Sequence, residues 1–396
     1  MGPIPRLRQY RGPALFSYAF RPFFLLGAIQ SGIAILVWLP IFSGELALST
    51  AFGPIDWHVH EMLYGFLPAV VTGFLLTAIP NWTGRLPIQG LPLFVLVLVW
   101  LAGRVAVTYS AEIGWLPAAI IDVSFLALVI AAAAREIIAG QNWRNLRVIV
   151  MVTLLLAGNI AFHFEAHYRG VADYGTRIGI AAIVLLIAVI GGRIVPSFTR
   201  NWLARANPGR LPVPFGKVDG AIVLLSAAVM ALWIAQPAGN ATAIALIVAG
   251  ILHVVRLARW AGDRTWRDRL VLILHIGYAF VPIGFLLAGV GALGLIMSDA
   301  GTHAWMVGAA GTMTLAVMTR ASLGHTGSAL KASPATQAIY AAIIVAAAIR
   351  ILASLHPNWA NVLLHLAAWA WAAAFIGFAV SFGALLLTAR RDSRGV

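Results

Sequence analysis

The feature that most constrains this chain is the recurrence, from one end to the other, of apolar stretches about twenty residues long. A stretch of that length matches the roughly 30 Å hydrocarbon core of a bilayer when it is helical. The stretches are at Phe20–Pro40, His58–Pro80, Leu91–Thr108, Trp115–Ala134, Leu146–Phe164, Gly175–Val195, Val218–Gln236, Ala241–Arg259, Leu270–Val290, Thr302–Thr319, Thr336–Ala353 and Asn361–Thr388. Only 10% of the residues are charged, against about 25% in soluble domains. No polar segment between the stretches is long enough to build a soluble domain. The expected fold is all-α: a polytopic membrane protein of about twelve transmembrane helices, forming a single integral domain over residues 1–396. The basic start (Arg6, Arg8, Arg11) has no small-residue cleavage site after its apolar run, so it reads as an uncleaved first helix.

Charge orients the helices. The segments that twelve spans place on the N-terminal side carry nearly all of the 27 basic residues; the opposite side has only Arg104, Arg169, Arg177 and Arg350. The positive-inside rule then puts both termini in the cytoplasm. It also accounts for the formal charge of +14 through cytoplasm and anionic lipid, so nucleic acid is not needed as a partner. Acidic residues, among them Glu61 and Asp122, gather toward the outer side. No internal repeat is convincing in the sequence.

With no cysteine in the chain, disulfides, iron–sulfur clusters and thiolate metal sites are excluded, and histidine, carboxylate or methionine must hold any metal. In this topology His58, His60, His163, His167 and His303 lie toward the outer side, and His253, His275 and His325 toward the inner side. His163 and His167 are i,i+4 and share a helix face. His58 and His60 are roughly 200° apart around a helix, so only one of them can serve a given site, and Glu61 shares the face of His58. An ionisable side chain within a span costs ~2.5–3.5 kcal/mol on insertion scales and is a functional candidate by default. The outer histidines with Glu61 are candidates for a metal or haem site, and His253, His275 and His325 for a second metal site. Helix-packing hydrogen bonds are the competing role for the inner set. Arg193 and Arg320, at small-residue helix exits, could clamp haem propionates or simply anchor to lipid headgroups. No Walker loop, nucleophile elbow or HExxH motif is present.

Five segments resemble the NnrS family of bacterial membrane proteins: FRPFFLLG (Phe20–Gly27), DWHVHEMLYGF (Asp56–Phe66), GFLLTAIPNWTGR (Gly73–Arg85), GGRIVPSFTRNW (Gly191–Trp202) and GTMTLAVMTRASLGHTG (Gly311–Gly327). The resemblance implies twelve helices in the bacterial inner membrane, bound haem and copper, and a link to denitrification and the stress response to nitric oxide. It singles out His58, His60, Glu61 and His325 as positions within family signatures. The helix count also looks like that of haem–copper oxidases, but helices six and seven lack the histidines that hold copper there. Two functions follow as expectations. One is a haem/copper protein that binds or detoxifies nitric oxide, with redox turnover, fed by an unknown electron donor, left open. The other is a secondary transporter whose outer His and Glu residues couple protons or a metal ion.

Overall fold

The computed structural model describes residues 10–389; the expected anchors Arg6, Arg8, Arg390, Arg391 and Arg394 lie outside them. Helices make up the regular structure, with no strand among the described residues. Eleven are long and apolar enough to cross a membrane: α1 (Phe20–Phe42), α2 (Pro54–Thr83), α3 (Leu91–Thr108), α4 (Trp115–Ala139), α5 (Leu146–Arg169), α6 (Asp173–Ala206), α7 (Lys217–Ala235), α8 (Asn240–Ala258), α9 (Arg269–Ala292), α11 (Pro334–Leu355) and α12 (Ala360–Leu387). The remaining expected span falls in α10, a continuous helical run over 299–326 in three pieces, the middle one π-helical. The chain is thus a multi-pass membrane protein.

Local chemistry explains the ends that matter for function. Gly53 precedes α2 with extended backbone, Pro54 occupies its first turn and Asp56 faces the helix's positive end. The helix therefore starts one turn earlier than its hydropathy suggests. It closes on Gly84, whose φ of 68° supplies the left-handed cap. At 34 residues, α6 outlasts its expected span and carries Pro196 inside.

The chain divides into two compact units. Unit 1 takes in Gly179 and what is described before it, with Met318–Ala329 and the described part of the segment from Phe375; unit 2 is Ile180–Val317 with Leu330–Ala374. In unit 1, α1 packs on α2, and α3, α4 and α5 pack in succession; α2 is highly enclosed. In unit 2, α9 packs on α8 and on the π-helical part of α10, which also meets α11.

The burial register of α1 recurs in α9, although the sequence itself shows no convincing repeat. Residues 21–40 of α1 and 271–290 of α9 share the same class (buried, half-buried or exposed) at 19 of 20 positions. Only Gly27/Gly277, Ile33/Ile283 and Leu36/Leu286 are identical at that offset. Both helices are followed by one whose π-helical stretch starts directly after a histidine, His60 before Glu61–Phe66 and His303 before Ala304–Gly311. Apolar side chains substitute freely at matched burial, so the pattern survives while identity fades.

Candidate metal centre

Each of the first five spans delivers a polar side chain to one place inside unit 1. From α1 comes Gln30; from α2, His60 and Glu61; from α3, Arg104; from α4, Asp122; from α5, Asn159 and His163, one helical turn apart. His60 is completely buried, and Asp122, His163, Asn159 and Glu61 are nearly so. Charges in such a setting persist only when paired. Arg104 supplies the pairing: one amino group donates to Glu61 Oε1 at 2.6 Å and the other to Asp122 Oδ1. Gln30 Nε2 donates to the second Glu61 oxygen at 2.7 Å.

Beyond those pairs, acceptor atoms converge. Asn159 Nδ2 donates to Asp122 Oδ2 at 2.8 Å, which turns Asn159 Oδ1 toward His60 Nε2, 3.1 Å away. His60 Nε2 is also 3.2 Å from Asp122 Oδ2, and His163 Nε2 is 3.1 Å from that same oxygen. His60 Nδ1 is buried with no hydrogen-bond partner; its 3.8 Å separation from Glu61 Oε1 is too long for one. Either neutral tautomer of His60 therefore leaves a lone pair facing an anionic oxygen. With the hydrogen on Nε2 the bare Nδ1 faces Glu61, and with it on Nδ1 the bare Nε2 faces Asp122 and Asn159. A cation among these atoms removes the conflict.

The distances suit a metal ion. One donor atom from each of His60, Asp122 and His163 lies within 4.8 Å of the other two. Bonds of about 2.0–2.1 Å in tetrahedral geometry put neighbouring donors roughly 3.3–3.4 Å apart, close to the two edges that meet at Asp122 Oδ2, 3.1 and 3.2 Å, while the imidazole–imidazole edge lies within 4.8 Å. An aromatic wall encloses the group. The His60 ring has Phe52, Phe162 and Tyr64 at 5.2, 5.3 and 5.6 Å and meets the His163 ring at 4.9 Å.

The family model described as NnrS protein matches residues 14–390. The chain belongs to the NnrS family. Comparison with curated proteins finds no match. Family membership links this NnrS protein to nitric oxide, and its buried His–Asp–His group is compatible with metal binding.

Within the NnrS chain, the histidines singled out in the sequence part company. His58 stacks on Trp38 at 4.3 Å, away from the face His60 presents to Asp122. His167 is exposed and stacks on Trp115 at 4.3 Å, although it shares a helix with His163. His303 Nδ1 donates to the Asp299 carbonyl at 2.8 Å, and Asp299 pairs with Arg350 at 3.2 Å. His253 and His275 belong to unit 2 and His325 to unit 1. Arg256 can only donate, so Tyr278 accepts from it at 2.7 Å and gives its own hydrogen to His253 Nδ1 at 2.9 Å. His253 Nε2 then donates to Ser226 at 2.9 Å, which engages both ring nitrogens. His275 Nε2 bonds Thr199 at 2.8 Å. The His325 ring is 5.6 Å from Tyr18 and 5.3 Å from Phe20, within unit 1. Arg193 stands 5.6 Å from the Phe215 ring centre, and Arg320 is half-buried.

Sequence reasoning missed Asp122, Asn159, Arg104 and Gln30 as site residues. Two carried a signal: Arg104 is a cation inside a span on the sparsely basic side, and Asp122 an anion inside the next span. Asn159, four residues before His163, was readable only once a partner for that face was known.

Proposed function

We propose that this NnrS protein holds copper at His60, Asp122 and His163 and uses the site to bind or detoxify nitric oxide. The observation that carries the reading is the convergence of two imidazole nitrogens and a carboxylate oxygen on one buried point, with either neutral tautomer of His60 left unsatisfied. Imidazole with a hard oxygen donor suits copper or zinc, and family membership favours copper. The wall of Phe52, Phe162 and Tyr64 keeps water out, and an apolar interior concentrates a small uncharged ligand such as nitric oxide. Copper would supply an open coordination position and one-electron chemistry, with electrons from a donor still to be identified. The side chains around it orient the ligands and hold compensating charge.

Haem, implied by the resemblance, does not fit this triad, whose aromatic enclosure leaves no face for a macrocycle. His303 would hold it better. Its Nδ1–H is fixed on the Asp299 carbonyl, the arrangement that presents Nε2 as donor. The membrane is read as the bacterial inner membrane with both termini cytoplasmic, on the strength of the arginine asymmetry.

The second reading is a secondary transporter in which a proton, rather than a metal, sits between His60 and Asp122; the tautomer conflict is relieved equally well by a proton. Metal analysis and an absorption spectrum of the purified full chain separate the two. About one copper per chain supports the first reading, and a Soret band adds haem. A fully folded, colourless, metal-free protein after supplementation with both supports the transporter.

A further inference from the structure

Two charged groups at the centre, Glu61 and Arg104, lie outside the His60–Asp122–His163 triad. Both Glu61 oxygens are taken, one by Arg104 and one by Gln30. Arg104 bridges Glu61 to Asp122, a proposed ligand, and reaches them by crossing α2 at Gly65. A Cβ at Gly65 would lie 2.4 Å from the Arg104 Nη1. Gly65 belongs to the π-helical turn Glu61–Phe66, and its carbonyl accepts a bond from Trp100 Nε1 at 2.9 Å. A widened turn, a missing side chain and an indole tether thus combine to admit one guanidinium. Fixed charges act strongly in such an interior, because little water screens them.

We infer that Arg104 and Glu61 are charge-setting residues that act in opposite directions on the oxidation state in which copper rests at the triad. The inference depends on the reading of His60, Asp122 and His163 as copper ligands. A positive charge beside the metal disfavours Cu(II) relative to Cu(I), and a negative charge does the reverse. Glu61→Gln removes a negative charge and shifts the preference toward Cu(I); Arg104→Gln removes a positive charge and shifts it toward Cu(II). Arg104→Lys keeps the charge, though not both contacts, and shifts the preference less than Arg104→Gln does. Gly65→Ala pushes the guanidinium aside and follows Arg104→Gln in sign.

The test is the ratio of Cu(I) to Cu(II) affinities, measured by competition with chelators of known affinity on the anaerobically purified full chain. Glu61→Gln and Arg104→Gln are expected to move that ratio at least about tenfold in opposite senses, equivalent to about 59 mV each for a one-electron couple. Shifts of the same sign, or none in variants that still bind copper, overturn the inference while leaving the ligand assignment standing. A wild-type chain that takes up no copper overturns the assignment and the inference together. Should Arg104→Gln fail to fold, Glu61→Gln and Gly65→Ala carry the comparison, and the same sign in both counts against it.

Discussion

At the residue scale, the difference between His58 and His60 is one of direction. They are two apart in sequence, yet one ring lies on Trp38 and the other meets Asp122. His163 and His167 divide in the same way, one buried on Asp122 and one exposed on Trp115. His163→Ala and Asp122→Asn should therefore each lose more than half of the bound metal. His58→Ala and His167→Ala should retain most of theirs, with elemental analysis as the check; equal losses in all four would remove the distinction. Arg104 makes a second residue-scale claim. Its loss strands Glu61 and Asp122 without a counter-charge, and breaking a buried pair costs about 3–5 kcal/mol. Thermal melts of Arg104→Met in detergent should show a large drop, while Arg169→Met, whose partner Glu165 also bonds the Gly175 amide, should change little.

At the scale of elements, helix contacts depend on where side chains are missing. The Tyr64 hydroxyl donates to the Gly175 carbonyl at 2.6 Å, and a Cβ at Gly179 would lie 2.4 Å from that hydroxyl. Gly179→Ala should cost about 1–3 kcal/mol as overpacking, whereas Gly220→Ala, in the interior of α7 with no atom within 4 Å of the new Cβ, should stabilise by up to about 1 kcal/mol. Melting temperatures moving in the same direction would refute the contrast. The spans themselves were legible, because hydropathy over twenty residues reports the solvent directly. The π-helical turns at Glu61–Phe66 and Ala304–Gly311 were not. Nothing in local propensity marks a π-helical turn, and the side chains of the candidate centre come from five helices whose neighbours a single sequence does not reveal. The repeated burial of α1 and α9 was hidden for a related reason: burial constrains polarity and size, and leaves identity free.

At the scale of the whole molecule, the arginine asymmetry leads to an expected topology with both termini cytoplasmic. The absence of native cysteine makes the test simple. A membrane-impermeant thiol reagent added from the periplasmic side should label Ser298→Cys, which is exposed just before α10, and spare Ser328→Cys, just beyond it. Labelling of Ser328→Cys alone would invert the topology and detach the arginine argument from this chain.

The central claim, that His60, Asp122 and His163 bind one metal ion, is tested most directly by X-ray absorption at the copper edge on the purified full chain and its His163→Ala variant. The account predicts a first shell in the wild type with two imidazole nitrogens and one oxygen at about 2.0–2.1 Å, and one imidazole fewer, or no bound copper, in the variant. An unchanged imidazole count and copper content in His163→Ala would contradict it, and the buried group would then be a hydrogen-bonded charge network with copper bound elsewhere.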